Sequence, residues 1–352
     1  MSGSSMDGLD IAYCTFEEIG GKWSFQINQA DCIPFDENWK STLHQITQFN
    51  GKELMLAHTA FGKWMGEAIQ QFVETHQLEH KVHLIASHGH TVFHEPKLGM
   101  TFQLGDGAAI AAITQLPVVS DLRNMDVALG GQGAPIIPIG EKYLWSEYDC
   151  FLNIGGISNI TIKKGNDHIA YDVCPANRVL NLLASELNLT YDDGGREAQS
   201  GNKNEQLLNQ LNELDYYKHS YPKSLSNEFG IDIVYPMIQN YPISIQDKLN
   251  TMCEHIAIQI ANEVDAHQIK NCKMLVTGGG ALNTFLITLL KEKLVANDVE
   301  VIVPDMNLIQ YKEAVVMALI GILRWREEVN VLESVTGAKR SSVGGALWMG
   351  QD

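Results

Sequence analysis

The sequence is poor in charge, and what it has is mostly of one sign. Only 19% of residues are Asp, Glu, Lys or Arg, and 42 acidic against 25 basic side chains give a formal charge of −17. With no basic run, this balance argues against a nucleic-acid groove or an anionic membrane surface, so a phosphate ligand needs local positive potential. No apolar stretch reaches the roughly 18 residues of a membrane helix. The first residues, Met1–Asp7, lack the basic flank and apolar segment of a signal peptide. Cys14, Cys32, Cys150, Cys174, Cys253 and Cys272 form no Cys-x-x-Cys pair and mostly sit in apolar runs, as reduced thiols of a cytoplasmic protein do. Low-complexity segments are missing, and so is the P-loop signature Gly-x-x-x-x-Gly-Lys-Ser/Thr.

What is present is a chain of 352 residues, 45% hydrophobic, which is more than one core usually serves and implies two domains. Leu9 to Phe16 and Trp23 to Ile27 read as a hairpin turned at Gly20-Gly21, Lys52 to Glu74 as an amphipathic helix, and Val82 to Ala86 as a buried strand. A second hairpin runs from Cys150 to Ile154 and Ile160 to Ile162. It is followed by a strand His168 to Asp172, a helix opened by Pro175 and a long helix from Ile245 to Ala266. Strands Lys273 to Val276 and Val299 to Val303 and a helix Lys312 to Trp325 complete an α/β pattern. The boundary is expected near Gly130–Pro135, giving domains 1–130 and 131–330, with the loop-rich residues 331–352 folding back onto one of them, the first by preference.

Three turns are built of small residues. In the first, Gly3, Ser4, Ser5, Met6, Asp7, Gly8, Leu9 and Asp10, backbone N–H groups can approach an anion, and the carboxylates of Asp7 and Asp10 can hold a magnesium ion. The second, with Asn153, Gly155 and Gly156, and the third, with Gly278, Gly279, Gly280 and Asn283, also follow strands. Together the three can converge on one nucleotide, two gripping its phosphates and the third lying flat against a base or ribose. Three unrelated tight turns would look the same.

At these residues the chain resembles the anhydro-N-acetylmuramic acid kinases of the sugar kinase, heat-shock protein and actin superfamily. The family pattern Met-Ser-Gly-Thr-Ser-Leu-Asp-Gly-x-Asp is similar to Met1–Asp10, with Ser4 and Met6 as replacements. Ser87–Thr91, Gly105-Asp106, Asp121–Arg123, Gly130–Pro135, Asn153–Asn159 and Thr336–Ala338 resemble further family segments, nearly end to end. The resemblance implies a two-domain actin-like, ribonuclease H-like α/β fold with a nucleotide cleft, ATP and Mg2+ as cofactors, and a cytoplasmic homodimer. It implies transfer of phosphate to the 6-oxygen of an amino sugar while water opens the anhydro bridge, a step in cell-wall recycling.

The family's general base lies in a segment resembling Asp172–Asn177, so the role passes to Asp172. Such a carboxylate takes a proton from water as charge develops on the sugar ring, and a strand end is where ligands gather in α/β folds. Capping the following helix is the plain alternative. Val173-Cys174 stand where the family has Thr-Gly, and Asn181 where it has Asp.

The resemblance places Thr91 and Glu313 beside the sugar, with His90 where Gln is usual, and Lys223-Ser224 in a Pro-Lys-Ser stretch. Glu313 reads equally as a solvated helix-face residue. Arg123 can grip the substrate's lactyl carboxylate with a two-pronged hydrogen bond, or pair with Asp121 or Asp126. The imidazoles of His88, His90 and His94 lack the partners of a zinc site. Family members carry a short strand before the Met-Ser-Gly motif, whereas this sequence opens on the motif. Without that strand the phosphate loop is poorly fixed beside an open sheet edge, so we expect either a start upstream of Met1 or weakened nucleotide binding.

Overall fold

The computed structural model describes residues 1–3, 6–165, 167–226 and 228–350. Its chain forms two compact units, Met1–Trp145 with Tyr311–Asp352, and Ser146–Gln310.

The first unit opens with the hairpin β1 (Gly8–Ile19) and β2 (Lys22–Pro34). Gly20 and Gly21, at φ 60° and 81°, supply the two left-handed positions that a two-residue turn needs to match strand twist. Both strands outrun the stretch legible in the sequence, because alternate half-exposed positions carry polar residues there. The helix Gly51–Thr75 starts from an Asn50/Glu53 capping box and buries Phe61, Met65, Ala68, Ile69 and Phe72. The strand expected over Val82 to Ala86 contracts to β3 (Ile85–Ala86). The hairpin β4 (His90–Glu95) and β5 (Met100–Leu104) follows, and then β6 (Val118–Ser120), parallel to β3. The edge of β1 turned away from β2 and the segment Lys81–Ser87 line one cavity of about 370 Å³, walled also by the helices Gly51–Thr75 and Met306–Trp325.

In the second unit β7 (Cys150–Ile154), β8 (Ile157–Lys164) and β9 (Asp167–Pro175) form an antiparallel meander. On the other flank of β7 lie β10 (Cys272–Thr277) and β11 (Val299–Ile302), both parallel to it, giving the order β11-β10-β7-β8-β9. This is the ribonuclease H-like order. The helix Ile245–Ala266 packs on the sheet through Leu249, Met252, Cys253, Ile256 and Ile260, all fully buried. Pro175 does not open the next helix. It pairs with Ile157 as the last residue of β9, and the helix runs Asn177–Ser185.

The helix Met306–Trp325 returns the chain to the first unit, beginning six residues before the expected Lys312. Among the described residues it is the one helix long and apolar enough, by length and composition, to cross a membrane. Its Val315, Val316, Leu319, Ile320 and Leu323 are buried in protein, as in a core helix. The tail ends in β12 (Ala346–Trp348), antiparallel to β6, with Trp348 Nε1 donating to Ser120 Oγ at 3.0 Å.

Candidate active site

In the first unit the opening residues are held through Ser2. Ser2 bridges Leu9 on one side and His90 on the other, and its hydroxyl meets His90 Nδ1 at 2.9 Å. His90, where the family usually has Gln, thus anchors Ser2 to β4. The Met1 amine donates to Asp10 O at 2.6 Å, and Asp10 N–H donates back to Met1 O at 2.8 Å. Burial lowers the amine's pKa to about 6, against the pull of Asp10, Glu313 and Cys32.

Beyond this pair the turn is close-fitted. Met6 takes a left-handed φ of 54° and donates its N–H to Gly3 O at 3.3 Å. Asp7 Oδ1 accepts from Gly8 N–H at 3.1 Å, and a Cβ on Gly8 would lie 2.5 Å from Ile33 O. Leu9 is a core residue, 1% exposed. Ser4 and Ser5 lie outside the described residues. Burial raises the Asp10 carboxyl's pKa, while a hydrogen bond from Cys32 and the Met1 amine pull it down.

Thr91 is exposed on β4, its hydroxyl accepting from Gln103 Nε2 at 3.4 Å. Arg123 pairs with neither candidate aspartate. Asp121 takes the Ser120 hydroxyl at 2.6 Å, and Asp126, 1% exposed, takes Thr336 Oγ1 and Gly133 N–H, each at 2.7 Å. The guanidinium instead donates from Nε to His88 Nε2 at 2.8 Å and from Nη1 to Gly133 O at 2.7 Å. Burial lowers its pKa to about 10, and Glu313 raises it. Glu313 is exposed on its helix, yet nearby protein pushes its carboxyl up, Lys312 and Arg123 pull it down and Asp10 pushes it up again. Arg123, Glu313, Asp10 and the Met1 amine therefore share one electrostatic neighbourhood. His88 and Ser2 were missed as site residues. Only the small-residue and His-Gly-His patterns around them marked their segments.

In the second unit two of the three small-residue turns come together. A Cβ on Gly278, at φ 81°, would stand 2.6 Å from Asn153 Oδ1 and 2.7 Å from Ile154 O, and one on Gly280 would strike Ile154 Cγ2. The glycines of 278–280 thus lie flat on the β7–β8 turn. Asn177 N–H donates to Gly155 O at 3.0 Å and Ala176 N–H to Gly156 O at 2.9 Å, while Gly156 and Gly279 stay exposed. Asn283 Oδ1 caps the helix Thr284–Leu294 by accepting from Leu286 N–H at 2.9 Å, so this side chain fixes the loop's exit.

Asp172 lies on β9, half-buried. It does not cap the next helix, whose N-cap is Ala176. Its Oδ2 accepts from Leu225 N–H at 2.9 Å, and its backbone oxygen accepts from Tyr216 OH at 2.7 Å. Burial raises the carboxyl's pKa, and the Leu225 N–H opposes it. The segment carrying Leu225 is pinned by Lys223, whose Nζ meets Glu263 Oε1 at 2.5 Å and lies 5.0 Å from the Tyr216 ring centre. Val173 and Cys174, the departures from the family pattern, are fully buried core residues, and Asn181 is exposed.

The residues fit a nucleotide and its metal in kind. Exposed glycine backbone suits phosphates, and two carboxylates at one turn suit Mg2+, which usually takes one or two from protein and the rest from phosphate and water.

A five-stranded sheet in ribonuclease H-like order, with glycine turns crowding the ends of β7 and β10 and a carboxylate on β9, defines an α/β protein of this fold class. A family model described as anhydro-N-acetylmuramic acid kinase matches residues 1–350, and the chain belongs to that family. It is 37% identical over 300 residues to the anhydro-N-acetylmuramic acid kinase of Aliivibrio fischeri, covering 82% of this chain and 81% of that one. The Sulfurovum sp. protein of the same name is 31% identical over 369 residues, covering 99% and 98%. Among solved structures, the activator of the 2-hydroxyisocaproyl-CoA dehydratase from Clostridium difficile with bound ADPNP aligns at 17% identity and a TM-score of 0.36, over 60% of this chain and 68% of that one.

Proposed function

We propose that the chain transfers the γ-phosphoryl group of ATP to the 6-oxygen of anhydro-N-acetylmuramic acid while a water molecule opens the anhydro bridge. The products are N-acetylmuramic acid 6-phosphate and ADP, and the protein acts as a cytoplasmic homodimer. The family match over residues 1–350 carries the reaction in this reading. ATP supplies the phosphoryl group, and Mg2+ neutralises its charge.

Asp172 accepts the proton of water as its oxygen attacks the anomeric carbon, with the Leu225 N–H holding its carboxylate and the Tyr216 hydroxyl its backbone oxygen. Arg123 binds the lactyl carboxylate, and Thr91 and Glu313 take sugar hydroxyls. In the first unit Gly3 to Asp10 bind phosphate, with Asp7 and Asp10 on the metal. In the second, Asn153, Gly155, Gly156 and Gly278 to Gly280 do so, their loop shaped by Asn283.

Running the reaction in ¹⁸O-water tests this assignment. Heavy oxygen belongs on the anomeric hydroxyl of the product, and label in the phosphate instead would refute water attack at the sugar.

A further inference from the structure

The hydrogen bonds around Arg123 raise the question of why its partners are a histidine and a carbonyl rather than a carboxylate. His88 is 4% exposed, and its Nδ1 lies 3.0 Å from Gly89 O. A carbonyl oxygen only accepts, so Nδ1 carries the hydrogen and Nε2 is left bare to accept from Arg123 Nε at 2.8 Å. Gly133 O holds Nη1, and buried Asp126 holds the Gly133 N–H in turn. Two of the guanidinium's five N–H donors are thus fixed by uncharged acceptors, and among the described residues the other three have no partner. Arg123 makes no ion pair among the described residues.

We propose that His88 is a positioning residue for substrate recognition, a neutral acceptor that aims Arg123 without itself cancelling the positive charge offered to an anionic group on the sugar. The inference rests on the reading that Arg123 binds the lactyl carboxylate. A carboxylate at position 88 would orient the fork equally well, but it would neutralise the charge on which the attraction depends. Burial, and then Arg123 itself, push the His88 imidazole down to about 3, so it does not compete as a cation. The other titratable groups influencing the pair are Glu313, His90, His94 and the Met1 amine.

The test compares dissociation constants, by calorimetry, of anhydro-N-acetylmuramic acid and 1,6-anhydro-N-acetylglucosamine, the same ring without the lactyl acid. Arg123→Met should abolish the preference for the acid, and if it does not, the Arg123 reading itself is wrong. His88→Gln, a neutral acceptor, should keep the preference within about threefold. His88→Glu should cut it by about ten- to a hundredfold, as expected for losing a hydrogen bond to a charged group. Preference retained by His88→Glu but lost by Arg123→Met would overturn the role of His88. Thermal melts establish that each variant is folded. If His88→Glu is not, His88→Leu, which frees Nε, must show the same loss, and its failure to do so overturns the proposal equally.

Discussion

At the residue scale, Asp172 is set by two opposed influences, burial that raises its carboxyl pKa and the Leu225 N–H that lowers it, with burial dominant. A base must be ionised, so activity rises with pH through a folded-state pKa above the ordinary 3.8. The acid limb of a kcat/KM profile should therefore lie above that value. A profile flat down to pH 4 would show that another group is the base. The motif made Asp172 legible in the sequence, but not Leu225 N–H or Tyr216 OH, which reach it from 53 and 44 positions away through tertiary packing alone. Arg123 was legible as a cation, but its partner was not. A neutral imidazole leaves no charge pattern to read.

At the element scale, Gly278→Ala puts a methyl against Asn153 and the Ile154 carbonyl at a φ that only glycine adopts freely. Nucleotide affinity should drop at least about tenfold while the sugar still binds, both read by calorimetry. Unchanged ATP affinity would remove the 278–280 turn from the site. The Lys223–Glu263 pair, side chains 4% and 15% exposed, is a second lever. Glu263→Gln strands a buried ammonium and should destabilise the protein by about 3 kcal/mol, a cost typical of breaking such pairs. A melting temperature within a degree of wild type would show the pair to be dispensable.

Hairpins and long helices were the easiest elements to read, because alternation and 3.6-residue periodicity mark them directly. Misreadings came at proline and at caps. Pro175 looked like a helix opener but finishes β9, and Asp305, whose Oδ1 accepts from Leu308 N–H, starts its helix earlier than apolar periodicity alone indicates. The hairpin of β4 and β5 was hidden because its alternate positions are His, Thr and Gln, which read as site chemistry rather than as strand.

At the scale of the whole molecule, protonation links the buried histidines to stability. Burial lowers His88 and His255 to about 3 from an unfolded value of 6.5, and also lowers His58, His90, His94 and His267. Below pH 6.5 the unfolded chain takes up protons that the folded one refuses, so each of the first two removes about 1.4 kcal/mol of stability per pH unit down to its folded value. Asp10, Asp172 and Glu313, with raised pKa values, act in the opposite sense and soften the fall. The melting temperature should thus decline as pH drops from 6.5 toward 4.5, less steeply in His255→Gln. A decline of equal slope in both would exclude His255 as a contributor.

The alternation of strands and helices and the order of the glycine turns carried the α/β class, and the motifs carried the family. The sheet order of the second unit was not legible in the sequence, because pairing between β7 and β10 spans more than a hundred residues.

The kinase reaction and the role of Asp172 are tested most directly by ADP release from Mg-ATP with and without anhydro-N-acetylmuramic acid, in the wild-type chain and in Asp172→Asn. Sugar-dependent turnover in the wild type, with the phosphorylated, ring-opened product seen by mass spectrometry, is expected. In the folded variant, kcat should fall by about a thousandfold, as for loss of a general base. Release indifferent to the sugar, or a variant as active as wild type, would contradict it.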